Sequence, residues 1–148
     1  MELRKATLDD VRALVALRKR QLADEGMSPS GDIDAALGAF FNNGLTDGSY
    51  ISWLAVDKHV VIATGGVCFH QLPPSFSNPS GQMAYITNMF TAGEYRRRGI
   101  ASLLLEKVLD EARSRGVTVA RLHASADGKN LYARFGFEKY EDYMTLNL

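Results

Sequence analysis

The chain has 148 residues, with 17 basic and 17 acidic side chains and 46% hydrophobic residues. A chain of this length is expected to fold as one domain that buries roughly 70% of the surface exposed on unfolding. The formal net charge of zero excludes a global positive field for holding nucleic acid or an acidic membrane, so any anion site must be local. No signal peptide and no run of roughly 20 apolar residues is evident, which predicts a soluble, cytoplasmic protein.

The first third of the chain predicts a strand followed by two helices. Thr7 and Asp10 form a capping pattern for the first helix, which carries apolar residues at helical spacing. Glycines and a proline end it, and Asn42-Asn43-Gly44 is the expected stop of the second helix. The predicted segments are a strand at Leu3–Ala6, a break at Asp24–Gly31 and a second helix from about Asp32.

The middle of the chain predicts a β-hairpin followed by a long loop. Tyr50–Val56 and Val60–Gln71 are rich in β-branched and aromatic residues, and the polar residues between them suggest a tight turn. Gly65-Gly66 inside the second strand indicates a bulge or a close approach of another chain segment. The segment Leu72–Gln82, with three prolines and a glycine, is expected to be a loop.

The last part of the chain predicts a strand, a helix and a strand, and therefore a right-handed crossover between parallel strands. Taken with the hairpin, this predicts a single α/β (α+β) domain over residues 1–148, with a mixed central sheet flanked by helices on both faces. The expected segments are a strand at Met83–Phe90, a helix at Gly99–Arg115, a strand at Val117–Ala124, a short helix at Lys129–Phe135 and closing strands at Phe137–Glu141 and Tyr143–Leu146.

The junction between the strand ending near Phe90 and the helix starting near Gly99 is the most informative part of the sequence. It contains Arg96-Arg97-Arg98-Gly99, so a basic, glycine-containing turn opens an amphipathic helix. The first turn of a helix has backbone N–H groups without intrahelical partners and a partial positive charge. Such a turn is suited to binding a phosphate group.

Two motifs, one at this junction and one further along the chain, resemble those of the GNAT superfamily of acyl-CoA-dependent N-acetyltransferases. Arg96-x-x-Gly99-x-Ala101 is similar to the superfamily's pyrophosphate signature, and Leu131-Tyr132-Ala133-Arg134-Phe135-Gly136-Phe137 resembles its L-Y-x-x-x-G-F block. The resemblance extends over the whole chain. It implies an enzyme that transfers an acetyl group from acetyl-CoA to a primary amine without a metal.

The resemblance also implies which residues contact acetyl-CoA. Backbone groups at the end of the central strand would pair with pantetheine, and this requires the strand to diverge from its neighbour. The turn and the helix start would bind the diphosphate. The implied cofactor-binding residues are Met89, Phe90, Thr91, Arg96, Arg97, Arg98, Gly99, Ile100, Ala101 and Ser102.

By the same resemblance, Tyr132 is the catalytic residue that hydrogen-bonds to the departing thiolate. The general base stays open. Some members carry a glutamate on the central strand, but here Tyr85 stands at that position, with Thr87 and Met89 expected on the same face by alternation. The alternatives are Tyr85 itself, Glu94, His70, His123 and a water relay.

The acceptor is not encoded in a motif, so a small-molecule amine, a protein N-terminus and a lysine all stay open. Asp24, Glu25, Asp32 and Asp34 are candidates for attracting a cationic amine, or else are solvated charges at helix ends. Cys68 is expected to be a buried, inert thiol.

Two other function classes compete with the enzyme. A non-catalytic acyl-CoA-binding sensor is favoured by the missing carboxylate on the central strand. A nucleic-acid binder is disfavoured by the neutral charge. A homodimer and a monomer are both compatible with this interpretation.

Overall fold

The computed structural model describes residues 1–140 and 142–148, and its described strands form one mixed sheet in the order β1-β2-β3-β4-β5. The first four strands are antiparallel neighbours, and β5 runs parallel to β4. The strands are β1 at Glu2–Lys5, β2 at Tyr50–Asp57, β3 at Val60–Gln71, β4 at Gln82–Thr91 and β5 at Ala120–Leu122. The helices are α1 at Val11–Asp24, α2 at Asp34–Asp47, α3 at Ile100–Ser114 and α4 at Lys129–Arg134, and short 3-10 turns lie at Leu8–Asp10 and Gly93–Tyr95.

Helices cover both faces of the sheet, as the sequence predicted. Side chains alternate along β2, so that Tyr50 and Leu54 pack against α1 and α2 while Ala55 faces α3. Helix α3 buries one apolar stripe, including Leu104 and Val108, against the second face. The mixed three-layer α/β domain is therefore confirmed. Among the described residues, no helix is long and apolar enough to cross a membrane.

A β-bulge interrupts the central strand β4. Thr64 of β3 lies opposite Phe90, and Gly66 lies opposite Thr87, so Asn88 and Met89 together face the single residue Gly65. Asn88 adopts a left-handed conformation with φ of 53°, which asparagine tolerates better than most residues. The extra residue turns the following side chains to the other face.

Buried hydrogen bonds hold this bulge in place. The Asn88 Nδ2 donates to the Tyr50 hydroxyl at 2.7 Å, and the Thr64 hydroxyl donates to the Asn88 carbonyl at 2.7 Å. Burial raises the pKa of Tyr50 to about 12, so its phenol stays protonated. Gly66 is required here because a Cβ at that position would collide with the Tyr50 hydroxyl. The predicted irregularity at Gly65-Gly66 is thus confirmed.

The bulge contradicts one expectation about side-chain direction. Simple alternation placed Met89 on the face of Tyr85 and Thr87, but Met89 instead packs among the residues that face α3. The inserted residue is the physical reason, because a shift of one position exchanges the two faces of a strand.

The largest differences between the predicted and the observed elements lie at three places. Helix α2 continues past Asn42-Asn43-Gly44 to Asp47 and ends at Gly48, whose φ is 78°, because Gly44 is buried against Tyr50 rather than serving as a stop. Strand β5 spans three residues rather than the predicted eight. No closing strand forms in 137–140 or 142–148, since no neighbouring strand pairs with this exposed segment; Glu141 lies outside the described residues.

Candidate active site

The turn between β4 and α3 presents a row of unpaired backbone donors. Among the described residues, the N–H groups of Arg97 through Ser102 have no protein acceptor, and the first helical bond runs from the Leu103 N–H to the Gly99 carbonyl at 3.2 Å. Arg97 and Gly99 both have positive φ, at 60° and 78°. This conformation directs successive N–H groups into one concave surface, which is the geometry of an anion-binding nest.

Two of the three arginines in this turn have partners in the protein. The Arg96 Nε donates to the Thr91 carbonyl at 3.0 Å, and its Nη2 lies 2.8 Å from the Asp24 carboxylate at the end of α1. The Arg98 guanidinium lies 5.3 Å above the Tyr95 ring. The side chain of Ile100 is buried in the core, so only its backbone N–H faces the turn. The backbone therefore supplies most of the donors that could meet a diphosphate.

The end of β4 is open on the side of β5. The ladder between the two strands covers only Ala84–Ile86 with Ala120–Leu122, so the segment Met89–Thr91 has no partner on β5 among the described residues. The backbone at this strand end is therefore not paired with β5 among the described residues. Binding of an extended pantetheine arm would require such an unpaired strand end.

Tyr132 lies in α4, the short helix that follows β5 along the chain. Its side chain is 8% exposed and packs in the core, with the Phe137 ring at 5.9 Å. Gly128 precedes it by one turn because a Cβ there would stand 2.7 Å from the Tyr132 ring. Burial raises the pKa of Tyr132, and the Glu25 carboxylate adds to the rise. The hydroxyl is therefore a hydrogen-bond donor over the physiological range, and no described residue accepts its proton.

The candidate bases are spread over two places. Glu94 lies exposed in the 3-10 turn before Arg96. Tyr85 sits on the face covered by α1, with the His70 ring at 6.2 Å on one side and the His123 ring at 6.3 Å on the other. Burial raises the pKa of Tyr85, so the phenolate that would act as a direct base is scarce at neutral pH.

The lone thiol is not a nucleophile. Burial raises the pKa of Cys68 to about 11, against a small opposing effect of the Arg18 charge. A thiol with such a pKa is almost entirely protonated at neutral pH. The prediction of an inert cysteine is consistent with this environment.

Sequence reasoning missed two groups that shape this site. Asn88 and Tyr50 hold the bulge, and the only signal was an asparagine in a strand opposite paired glycines. Arg18, on α1, lies within electrostatic reach of Tyr85, and only the fold brings it there. Glu25, which directly follows α1 and which the sequence had marked as a candidate for attracting a cationic amine, also lies within electrostatic reach of Tyr85.

Comparison with solved structures gives the same architecture. A predicted acetyltransferase from Clostridium acetobutylicum, solved with acetyl-CoA, matches with a TM-score of 0.96 and 38% identity, covering 99% of this chain and 95% of that one. A GCN5-related N-acetyltransferase from Ralstonia eutropha matches with a TM-score of 0.88 and 26% identity over 99% and 97%. Glucosamine-6-phosphate N-acetyltransferase from Arabidopsis thaliana, at 17% identity, shares the fold with a TM-score of 0.76 over 99% and 97%.

Sequence comparison adds a family match. No curated protein sequence matches this chain, but the model of the acetyltransferase (GNAT) family matches residues 13–137. The match includes both motifs and strand β4, which leads into the candidate cofactor turn. The chain belongs to the acetyltransferase (GNAT) family and is an acetyl-CoA-dependent N-acyltransferase.

Proposed function

We propose that the protein transfers the acetyl group of acetyl-CoA directly to a primary amine bound on the α1 side of β4. The observation that carries this proposal is the run of unpaired N–H donors from Arg97 to Ser102, directly beside the open end of β4. The turn is suited to the diphosphate and the strand end to pantetheine. The thioester then lies beside Tyr132.

In this proposal each part of the cofactor has its own binding residues. Diphosphate oxygens accept from the backbone of Arg97, Arg98, Gly99, Ile100, Ala101 and Ser102, and Arg96 and Arg97 add positive charge. Pantetheine amides pair with the backbone of Met89, Phe90 and Thr91. Gly99 has space for the approach, because a Cβ built on it has no neighbour within 4 Å.

The chemistry begins with loss of a proton from the acceptor ammonium. An alkylammonium of ordinary pKa near 10.4 costs about 4 to 5 kcal/mol to deprotonate at neutral pH. The neutral nitrogen attacks the thioester carbonyl carbon, a C–N bond forms and the C–S bond breaks. The products are the acetamide and CoA thiol, and the proton from the ammonium leaves to water or to a base.

Tyr132 assists the departing sulfur in this scheme. An ordinary phenol is a weaker acid than a thiol, so complete proton transfer is uphill by roughly 2 kcal/mol, and burial of Tyr132 makes it more so. The hydroxyl therefore contributes chiefly by a hydrogen bond to the developing thiolate. The thiolate is finally protonated by the second proton, which the nitrogen loses after its attack, either directly or through water.

The proposal is tested by incubating the protein with acetyl-CoA and a broad panel of primary amines while free thiol is measured. Acceptor-dependent thiol release, with the acetylated amine identified by mass spectrometry, is the expected result. Tight acetyl-CoA binding without acceptor-dependent release across the panel would contradict it and favour a sensor of acyl-CoA.

A further inference from the structure

The last turns of α1 and the residue after it carry two opposite charges that have no ionic partner among the described residues. Arg18, Gln21 and Glu25 follow one another at helical spacing; Arg18 is half-buried, Gln21 is 9% exposed and Glu25 is exposed. The Arg18 Nη1 donates to the Gln21 Oε1 at 3.2 Å, and the Gln21 Nε2 donates to the Glu25 Oε1 at 3.1 Å. The buried amide thus holds both charged side chains in defined positions.

The other acidic residues near this helix end are already engaged. Asp24 pairs with Arg96 at 2.8 Å, Asp34 pairs with Lys19 at 2.7 Å, and Asp32 accepts the Asp34 backbone N–H at 2.8 Å. Within residues 1–140 and 142–148, neither Arg18 nor Glu25 forms an ion pair. Of the four acidic candidates, Asp32 and Glu25 have no cationic partner among the described residues, and only Glu25 is held by the buried Gln21 amide and acts on Tyr85 and Tyr132.

The sheet surface opposite these charges is a row of rings. His70 on β3, Tyr85 on β4, His123 after β5 and Tyr143 near the chain end follow one another at 6.2, 6.3 and 6.3 Å between ring centres. The Arg121 guanidinium fixes the last ring by donating to the Tyr143 hydroxyl at 2.9 Å. Such a surface offers flat, partly apolar contacts to a small organic ligand.

The two charges act on different residues around this surface. The Glu25 carboxylate is felt at both Tyr132 and Tyr85, where it adds to the rise in pKa that burial causes. The Arg18 charge is felt at Tyr85 and Cys68, where it opposes that rise. The Glu25 charge therefore reaches Tyr132, the residue expected beside the thioester, whereas the Arg18 charge acts on Tyr85 and Cys68.

Resting on the proposed transferase activity, we propose that the acceptor is a zwitterionic amine of the amino-acid class. Its reacting nitrogen is drawn to Glu25 beside Tyr132, its carboxylate binds Arg18, and its side chain lies on the rings of His70 and Tyr85. A ligand with only a positive charge would leave Arg18 without a counter-ion in a half-buried position, which costs free energy.

The test uses matched acceptors that differ in the carboxylate: phenylalanine, phenylalaninamide and phenethylamine, each with acetyl-CoA and thiol detection. We expect wild-type protein to use phenylalanine with the highest kcat/KM. Arg18→Gln should lower kcat/KM for phenylalanine by about 10- to 100-fold, the range of a hydrogen-bonded charge pair, and leave phenethylamine nearly unchanged. Glu25→Gln should lower kcat/KM for all three acceptors, because all three carry the amine.

Arg12→Gln is the control, since Arg12 lies exposed on another side of the same helix. Circular dichroism and acetyl-CoA affinity report whether each variant folds, and Arg18→Lys should restore part of the preference for phenylalanine. Equal or better use of phenethylamine by the wild type, or an equal loss for both acceptors in Arg18→Gln, would overturn the inference and leave the transferase proposal standing. Thiol release with none of the three acceptors, but with other amines, would also overturn it. If none of the amines tested causes thiol release, both this inference and the transferase proposal are overturned.

Discussion

In the proposed reaction, the Tyr132 side chain serves both packing and chemistry. Its ring belongs to the core beside Phe137, while its hydroxyl donates to no described residue. A phenylalanine at this position would preserve the packing and remove only the donor. The contribution of the hydroxyl to the reaction is therefore separable from its contribution to folding.

For Tyr132→Phe we expect kcat to fall by about 10- to 100-fold, because a hydrogen bond to a charged group contributes about 1.5 to 3 kcal/mol. Acetyl-CoA affinity and the free energy of unfolding should stay close to wild type. Steady-state kinetics and equilibrium binding measure the two effects, with Tyr140→Phe, an exposed tyrosine, as the control. Unchanged turnover would contradict the donor role.

Asp10 links three parts of the N-terminal region. Its carboxylate accepts from the Arg4 Nη1 and Nη2 at 2.8 Å each and from the Thr7 backbone N–H at 2.8 Å. The hydrogen bonds from Arg4 lower the pKa of Asp10, against the opposing effect of burial. This arrangement confirms the capping pair that the sequence indicated.

For Asp10→Asn we expect the free energy of unfolding at neutral pH to fall by about 1.5 to 3 kcal/mol. Because the folded-state pKa of Asp10 is depressed, its stabilisation is present above the unfolded pKa near 3.9 and is lost as the pH falls below it. Denaturant unfolding at pH 7 and at pH 3 should therefore show a smaller difference between variant and wild type at pH 3. A difference that is constant with pH would contradict this account.

At the scale of elements, the start and the end of α3 offer a matched pair of glycines. Gly99 and Gly116 have φ of 78° and 73°, and a Cβ on either has no neighbour within 4 Å. Alanine at either position should lose similar stability, about 1 to 2 kcal/mol, because the left-handed conformation is strained with a Cβ. Only Gly99 lies among the unpaired N–H donors.

We therefore expect Gly99→Ala to weaken acetyl-CoA binding by about tenfold, equivalent to about 1.4 kcal/mol, and Gly116→Ala to leave it unchanged. Isothermal titration calorimetry on both variants measures the affinities. If Gly99→Ala binds acetyl-CoA as tightly as the wild type, the assignment of the diphosphate to this turn is refuted. If both variants lose the same affinity, backbone strain alone is responsible.

The elements that the sequence predicted well are those with strong local signals. Lys58 and His59 adopt the positive φ of a tight hairpin turn, and Gly116 follows the end of α3. The missed features depend on partners that are distant in the chain. Gly44 resembled a helix stop until Tyr50 was placed against it, and the segment after Phe137 had β-strand composition but no strand to pair with.

At the scale of the molecule, the net charge of zero leaves anion binding to local arrangements of donors and charges. The ion pair between Asp24 and Arg96 joins the end of α1 to the cofactor turn, and Glu25 follows Asp24 directly. The cofactor motif was visible in the sequence because its residues are contiguous. The closeness of Arg18 and Glu25 to Tyr85 was not visible, because α1 reaches β4 only in the folded chain.

Binding of acetyl-CoA should therefore stabilise the whole domain. If the ligand binds only the folded chain, a concentration 100 times the Kd adds about 2.7 kcal/mol, which raises the Tm of a domain of this size by about 5 to 10 °C. Thermal unfolding across a titration of acetyl-CoA measures the shift. No change in Tm at saturating ligand would contradict specific binding to the folded state.

The bulge at Asn88 divides β4 into two halves that differ in which alternate side chains face α1 and which face α3. Up to Thr87, alternate residues point to the acceptor surface in one phase, and from Met89 onward the phase is reversed. A relative without this inserted residue would align correctly with only one half of the strand at a time. If residues of β4 are exchanged between such proteins, the two halves of the strand must be aligned separately on each side of Asn88. Otherwise the exchanged side chains would enter the hydrophobic core instead of the opposite face of the sheet.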